Sequence, residues 1–147
     1  MTLTEKINED IKTAMLAKDK DKLEALRAIK AGILLAQSSG ENITPESELK
    51  MLQKMVKQRK ESAEIYKTQN REDLVKTELF QAVVIETYLP TQMTKEEITI
   101  AVKNIIAQTG ANSVKDMGKV MGMASKELAG KADNKIVSSI VKELLNS

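Results

Sequence analysis

The 147-residue chain is predicted to be an all-α protein, a multihelical array with a four-helix N-terminal subdomain and a three-helix C-terminal subdomain. Three observations predict this class. Apolar residues recur at helical spacing along the chain, and no segment has the alternation of a strand. Capping residues and breakers divide the pattern into separate helices. The segment LPTQMT is the best boundary, which places the subdomains at residues 1–90 and 93–147.

The first helix should begin at Thr2–Thr4, because Thr2 and Glu5 have the spacing of a capping box. It should end near Ala17 and bury Ile7, Ile11, Ala14 and Met15. A charged turn, KDKDK, separates it from a second helix over about residues 22–37.

The third helix is predicted from Pro45 to about Thr68, since Thr44 is a good N-cap and proline is favoured at the first helical position. Asn70 is the predicted cap of the fourth helix. That helix should run to Tyr88, because the proline two residues later disfavours helical geometry before it.

Thr94 should open the fifth helix with a second capping box, and Gly110 should lie near its end. The sixth helix is predicted to open at Ser113 and to close at a C-terminal cap, Gly130. The seventh helix, capped by Asp133, should bury Ile136, Val137, Ile140, Val141 and Leu144.

Composition excludes several function classes. The chain has no cysteine and no histidine, so thiolate chemistry and the commonest general base and zinc ligand are absent. No metal or cofactor is therefore predicted. Aromatic residues make up 2% of the chain, which disfavours a base-stacking platform. With no signal peptide and no long apolar run, we expect a soluble, cytoplasmic protein with no membrane association.

Two glycines in the segment KDMGKVMGMASKELAGKAD need an explanation, because a glycine inside a helix costs about 1 kcal/mol relative to alanine. On a helical wheel, Gly118 and Gly122 fall beside the apolar stripe and next to a row of lysines formed by Lys115, Lys119 and Lys126. They do not face the core. Two explanations remain open: close packing of a partner helix or subunit, or the approach of an RNA backbone whose phosphates the lysines neutralise.

Further lysines flank the start of the last helix. Lys131 and Lys135 bracket a helix N-terminus, where free N–H groups and the helix dipole favour an anion. Asp133 offsets part of their charge. One interpretation is that they form a single basic surface with the lysines of the sixth helix; the alternative that stays open is that they are solvated side chains without a binding role. The net charge of the chain is only +2, so any basic site must be local.

Several motifs in order resemble the YqeY family, also called the GatB/YqeY domain: YLPTQMTKEEI, TGANSVKDMGKVMG and GKADNKIVSSIVKELL, with KQRKES and NREDLV before them. The family is similar to the C-terminal tail domain of the B subunit of aspartyl/glutamyl-tRNA amidotransferase. The resemblance covers essentially the whole chain.

The resemblance implies an all-helical fold with a longer N-terminal part and a link to tRNA, because the amidotransferase tail helps to hold the tRNA substrate. The tail-like positions in this chain are Gly118, Lys119, Gly122, Gly130, Lys131 and Asp133. One departure concerns Asn134, where many tails have proline.

The family label also implies a carbon–nitrogen ligase that uses glutamine as amide donor. In the amidotransferase, however, that chemistry belongs to a separate catalytic domain and another subunit, and this chain resembles only the tail. We therefore predict a tRNA-binding accessory protein without catalytic residues, with a possible protein partner in tRNA-dependent amidation. The alternative is a protein-interaction adaptor whose glycine face docks a partner helix. The sequence predicts neither the particular RNA nor the oligomeric state.

Overall fold

The computed structural model describes residues 1–146, and all regular structure in that range is helical. A short 3-10 turn, Val114–Asp116, precedes the sixth α-helix. The α-helices are α1 Leu3–Leu16, α2 Lys20–Ser38, α3 Pro45–Thr68, α4 Glu72–Glu86, α5 Lys95–Thr109, α6 Met117–Glu127 and α7 Asn134–Asn146. The predicted all-α class, with four helices followed by three, is confirmed.

The chain divides into an N-terminal unit, Met1–Leu89, and a C-terminal unit that begins at Pro90. In the N-terminal unit α1 packs on α2, α3 on α4, and α2 on α4. Their apolar faces meet in one core because each repeats at helical spacing. The largest fully buried side chains of this core are Ile7, Leu26, Ile29, Leu52 and Ile85.

Tyr88 fixes the segment after α4 to the first helix. Its hydroxyl donates a hydrogen bond to the Asp10 carboxylate, and the Lys6 ammonium lies 5.4 Å from the ring centroid. Burial and this neighbouring carboxylate raise the pKa of the Tyr88 hydroxyl above its usual value. The end of α4 is thus held by a polar contact as well as by apolar packing.

The predicted capping residues explain several helix starts. In α1, the Glu5 N–H donates to Thr2 Oγ1 at 3.1 Å and the Thr2 N–H donates to Glu5 Oε2 at 3.2 Å. Thr44 caps α3 in the same reciprocal manner with Ser47, and Pro45 is the first helical residue, as predicted. Each box satisfies backbone donors that the helix itself leaves free.

Two predicted starts are wrong. The second helix begins at Lys20, because the Asp19 carboxylate accepts from the Lys22 N–H and acts as the N-cap. Asn70 does not cap α4. It takes a left-handed conformation, φ +60°, that asparagine tolerates better than most residues, and Arg71 becomes the N-cap position without a side-chain cap.

The predicted bounds of the sixth helix are also wrong. Ser113 makes no side-chain cap, and a 3-10 turn intervenes before α6 starts at Met117. The C-cap is Leu128, whereas Gly130 lies two residues further on at φ +75°. In α4, the helix ends at Glu86 rather than Tyr88.

The C-terminal unit is a three-helix bundle in which α5, α6 and α7 all pack on one another.

Two residues predicted to be buried are exposed: Met15 in α1 at 53% and Ile136 in α7 at 45%. Leu145, rather than Leu144, completes the buried face of α7. The buried core of the C-terminal unit consists of Ile98, Val102, Ile105, Val120, Ala124, Leu128, Ala132, Val137, Ile140, Val141 and Leu145.

A matched pair of leucines in α2 tests the core of the N-terminal unit. Leu26 is fully buried and Leu35 is 70% exposed. We expect Leu26→Ala to lower the free energy of unfolding by about 2–5 kcal/mol, because it removes buried methyl groups and leaves a cavity. Leu35→Ala should change it by less than about 0.5 kcal/mol.

The measurement is urea unfolding followed by tyrosine fluorescence. Both tyrosines, Tyr66 and Tyr88, lie in the N-terminal unit, and the chain has no tryptophan. The signal therefore reports on this unit alone. Equal losses for the two variants would contradict the assignment of the core.

Candidate nucleic-acid interface

The start of α6 is set by a local hydrogen bond. The Asp116 carboxylate does not cap its own helix but accepts from the Asn112 N–H at 3.2 Å. This bond closes the loop after α5, which itself ends at Gly110 in a left-handed conformation, φ +70°. Lys115 lies in the resulting 3-10 turn with an exposed side chain.

The orientation of α6 follows from its apolar stripe. Val120 and Ala124 are fully buried against α5 and α7. Gly118 and Gly122 lie on the exposed side, and a Cβ built at either glycine would meet no atom beyond its own helical turns within 4 Å. The prediction that the glycines do not serve packing within this bundle is therefore confirmed for the part of the chain that the structure describes.

Three exposed lysines accompany the glycines. Lys115, Lys119 and Lys126 form no ion pair with any carboxylate in residues 1–146. Lys115 and Lys126 are separated along the helix by on the order of 16 Å, at 1.5 Å per residue. We call the exposed face formed by these lysines and the two glycines the basic face of α6.

A turn connects α6 to α7. The Lys131 N–H donates to the Leu128 carbonyl at 3.0 Å, and Gly130 occupies the third position with φ +75°, a left-handed conformation that glycine adopts without a steric penalty. Gly130 is buried, so it contributes to the predicted site by setting the conformation of the turn. The neighbouring Lys131 is exposed. We call residues 128–131 the connecting turn.

Asp133 caps α7. Its Oδ1 accepts from the Lys135 N–H at 2.8 Å, and its carbonyl accepts from the Val137 N–H at 3.1 Å. Lys135 is exposed in the first turn of α7. The cap satisfies one N–H at the helix start, and the dipole of α7 adds partial positive charge to that of Lys131 and Lys135.

Three carboxylates of the C-terminal unit accept hydrogen bonds from its backbone. Asp116 and Asp133 each accept a backbone N–H, and so does Glu97, which receives the Thr94 N–H at 3.0 Å. The backbone hydrogen bond from Thr94 and then its side chain hold the pKa of Glu97 below its usual value. These three acids therefore direct acceptor atoms toward main-chain donors, while the lysines extend into solvent.

Gln92 and Met93 both contact the connecting turn, although neither was predicted to be a site residue. Gln92 Nε2 donates to the Gly130 carbonyl at 2.7 Å and to the Pro90 carbonyl at 3.0 Å. The Met93 N–H donates to the Lys131 carbonyl at 2.8 Å. The presence of Gln92 in the motif YLPTQ was the available signal, but periodicity says nothing about a contact 38 residues away.

The predicted residues thus occupy two adjoining regions of one unit. Lys126 lies in the last turn of α6, directly before the connecting turn that carries Lys131. Lys135 follows in the first turn of α7, while Lys115 lies at the far end of α6. Within residues 1–146 these positions form a surface of dispersed, exposed cationic groups.

A family model described as "Yqey-like protein" matches residues 4–145. The chain is 33% identical over 149 aligned residues to "Altered inheritance of mitochondria protein 41, mitochondrial" of Pyrenophora tritici-repentis, covering 97% of this chain and 80% of that protein. It is 28% identical to the protein of the same name in Clavispora lusitaniae, covering 97% and 86%.

A shorter similarity concerns a protein with tRNA in its name. Over 58 aligned residues the chain is 45% identical to the E subunit of the glutamyl-tRNA(Gln) amidotransferase of Methanobrevibacter smithii. The alignment covers 36% of this chain and 9% of that protein. Most of that much longer protein therefore has no counterpart in this alignment.

The expectation of a cytoplasmic protein is wrong. The relatives that match the chain over most of its length have mitochondrial in their names. The expectation rested on the lack of a secretory signal and of a long apolar run, and neither feature distinguishes cytoplasm from the interior of an organelle. In residues 1–146, no helix combines the length and apolar character that crossing a membrane requires.

The open space at Gly122 gives a stability prediction. Gly122→Ala should raise the free energy of unfolding by about 0.5–1 kcal/mol, because alanine favours the helix and its Cβ meets no neighbour. Gly110→Ala is the opposite control. It should lower stability by about 1–3 kcal/mol, since φ is +70° there.

Both variants are to be compared by thermal unfolding with far-UV circular dichroism. A destabilising effect of Gly122→Ala would contradict an open glycine face. It would indicate that another molecule, such as a second copy, packs against α6 in solution.

Proposed function

The chain belongs to the Yqey-like protein family, and from this membership we propose that it is an accessory module that binds tRNA or another structured RNA. The basic face of α6 and the start of α7 contact the phosphate backbone. The observation that carries this proposal is the pairing of two bare glycines with exposed lysines that have no ion-pair partner in the described chain.

The glycines matter because they set how closely an RNA backbone approaches. Without Cβ atoms at Gly118 and Gly122, a ligand reaches the main chain of α6 itself. Lys119 lies between the two glycines in sequence and Lys115 one turn before them, so their ammonium groups can reach phosphates on the same approach. The release of counterions from those phosphates then favours binding.

The start of α7 extends this surface. Lys131 and Lys135 are exposed on either side of the Asp133 cap, at a helix end whose dipole favours anions. Lysine acts as a point charge on a flexible stem and neutralises a phosphate without reading a base. We therefore expect binding that depends on the shape of the RNA more than on its sequence.

The name of the Methanobrevibacter smithii relative supports tRNA as the class of RNA, since that protein is an amidotransferase subunit named for glutamyl-tRNA(Gln). The aligned region is 9% of that subunit, so the similarity gives no reason to assign amide transfer to this chain. A protein partner in tRNA-dependent amidation fits an accessory role. This chain would then contribute RNA contacts while the partner performs the chemistry.

A second function uses the same face without RNA. Val114 is 40% exposed and is predicted to lie on the apolar side of the glycines, so a partner helix could pack there against bare backbone. Such docking depends mainly on apolar burial and responds weakly to salt, whereas phosphate contacts weaken steeply as salt rises. Salt dependence therefore separates the two functions.

The lysines give a direct test of RNA binding. We expect labelled tRNA to bind saturably at about 50 mM salt and much more weakly at about 200 mM. Changing Lys115, Lys119 and Lys126 together to alanine should weaken binding and reduce the salt slope by roughly 0.9 for each phosphate that is no longer neutralised. Fluorescence anisotropy measures both quantities.

The control variant removes three positive charges from the N-terminal unit instead. Lys12, Lys22 and Lys30 are exposed and have no ion pair within the described chain, so their triple alanine variant changes the net charge equally. It should retain nearly the affinity of the unchanged protein. Equal weakening by the two triple variants would contradict a localised site, and no binding at low salt would contradict the proposed function.

A further inference from the structure

Gln92 is hydrogen-bonded to the connecting turn but belongs to neither α6 nor α7, the two helices that the turn joins. Its side-chain amide donates to the Gly130 carbonyl at 2.7 Å and to the Pro90 carbonyl at 3.0 Å. An amide NH2 group has two donors, and both are used here. The backbone of the next residue adds a third bond, from the Met93 N–H to the Lys131 carbonyl at 2.8 Å.

Two of these three bonds act on the carbonyl groups that precede and follow the Cα of Lys131, those of Gly130 and of Lys131 itself. Gly130 has φ +75°, and glycine has more backbone freedom than any other residue, so the turn needs external restraint to keep one conformation. Gly130 and Ala132 are buried, whereas Lys131 between them is exposed. The lysine therefore extends from a turn that is fixed on both sides.

We infer that Gln92 is a positioning residue for RNA binding, which acts through Lys131. This inference rests on the proposed function. A lysine whose backbone is already ordered loses less conformational entropy when it contacts a phosphate, so restraint of the turn increases affinity. Gln92 does not itself contact the RNA.

The location of Gln92 distinguishes this role from general stabilisation. The residue is exposed and does not contribute to the apolar core of the unit. The hydrogen bond to the Gly130 carbonyl is partly buried, so its loss lowers the stability of the unit to some extent, because that acceptor loses a partner. Its loss should also appear as local mobility of the connecting turn.

Hydrogen exchange tests the restraint independently of RNA. In Gln92→Ala we expect the Met93 amide, which donates to Lys131, to exchange about tenfold faster, since the turn loses the neighbouring hydrogen bond to Gly130. Core amides such as that of Val120 should keep their exchange rates. Unchanged exchange at Met93 would overturn the restraint.

A double-mutant cycle tests whether Gln92 acts through Lys131. We expect Gln92→Ala to weaken tRNA binding roughly three- to tenfold when Lys131 is present and to have almost no effect in a Lys131→Ala background. The salt slope should fall by about 0.9 in Lys131→Ala but stay the same in Gln92→Ala, which removes no cation. Additive losses would overturn the inference.

Thr94→Ala is the matched control. It removes the capping box of α5, two residues from Gln92, and destabilises the same unit without altering the bonds to the turn. Its affinity for tRNA should equal that of the unchanged protein. If it weakens binding as much as Gln92→Ala does, the effect is one of stability and the positioning role is excluded.

The outcomes also separate this inference from the proposed function. Binding by the unchanged protein that is lost in the α6 lysine variant but kept in Gln92→Ala would support the function and overturn the inference. Absence of tRNA binding by the unchanged protein at about 50 mM salt would overturn both.

Discussion

The burial of Val120 and Ala124 against α5 and α7 determines what the rest of the C-terminal unit presents to solvent. A helix has one rotation that buries a given apolar stripe, so fixing these two side chains also fixes the opposite face. That face carries Gly118, Gly122 and Lys119. The exposure of the glycines is thus a consequence of core packing, and it has a cost in helix stability that packing within the unit does not recover.

Local hydrogen bonds then give this face its boundaries. Asp116 shapes the loop before α6, and Asp133 starts α7 after the connecting turn. Gln92 and Met93 hold that turn from the segment before α5. Asp116, Asp133 and Glu97 thus serve as backbone acceptors in this unit, whereas the lysines of the basic face of α6 form no ion pair within residues 1–146. This division of roles produces a local basic surface in a chain with a net charge of only +2.

Features set by local sequence were predictable, and features set by distant contacts were not. The stripe of α6 and the boxes at Thr2 and Thr94 follow from spacings of three and four residues, and the structure confirms them. The left-handed conformation of Asn70 depends on how α3 and α4 pack into a hairpin. The contact of Gln92 joins segments far apart in sequence, so no periodic pattern marks it. RNA binding by the nine predicted site residues stays a prediction.

If tRNA binds at the basic face of α6, the amide resonances of the two glycines should report its approach. In two-dimensional spectra of nitrogen-15-labelled protein titrated with tRNA, we expect Gly118 and Gly122 to shift or broaden first. Gly32 and Gly40, in the N-terminal unit, should stay unchanged and provide the internal reference. Perturbation of Gly32 and Gly40 with no change at Gly118 and Gly122 would exclude the basic face of α6 as the RNA-binding surface.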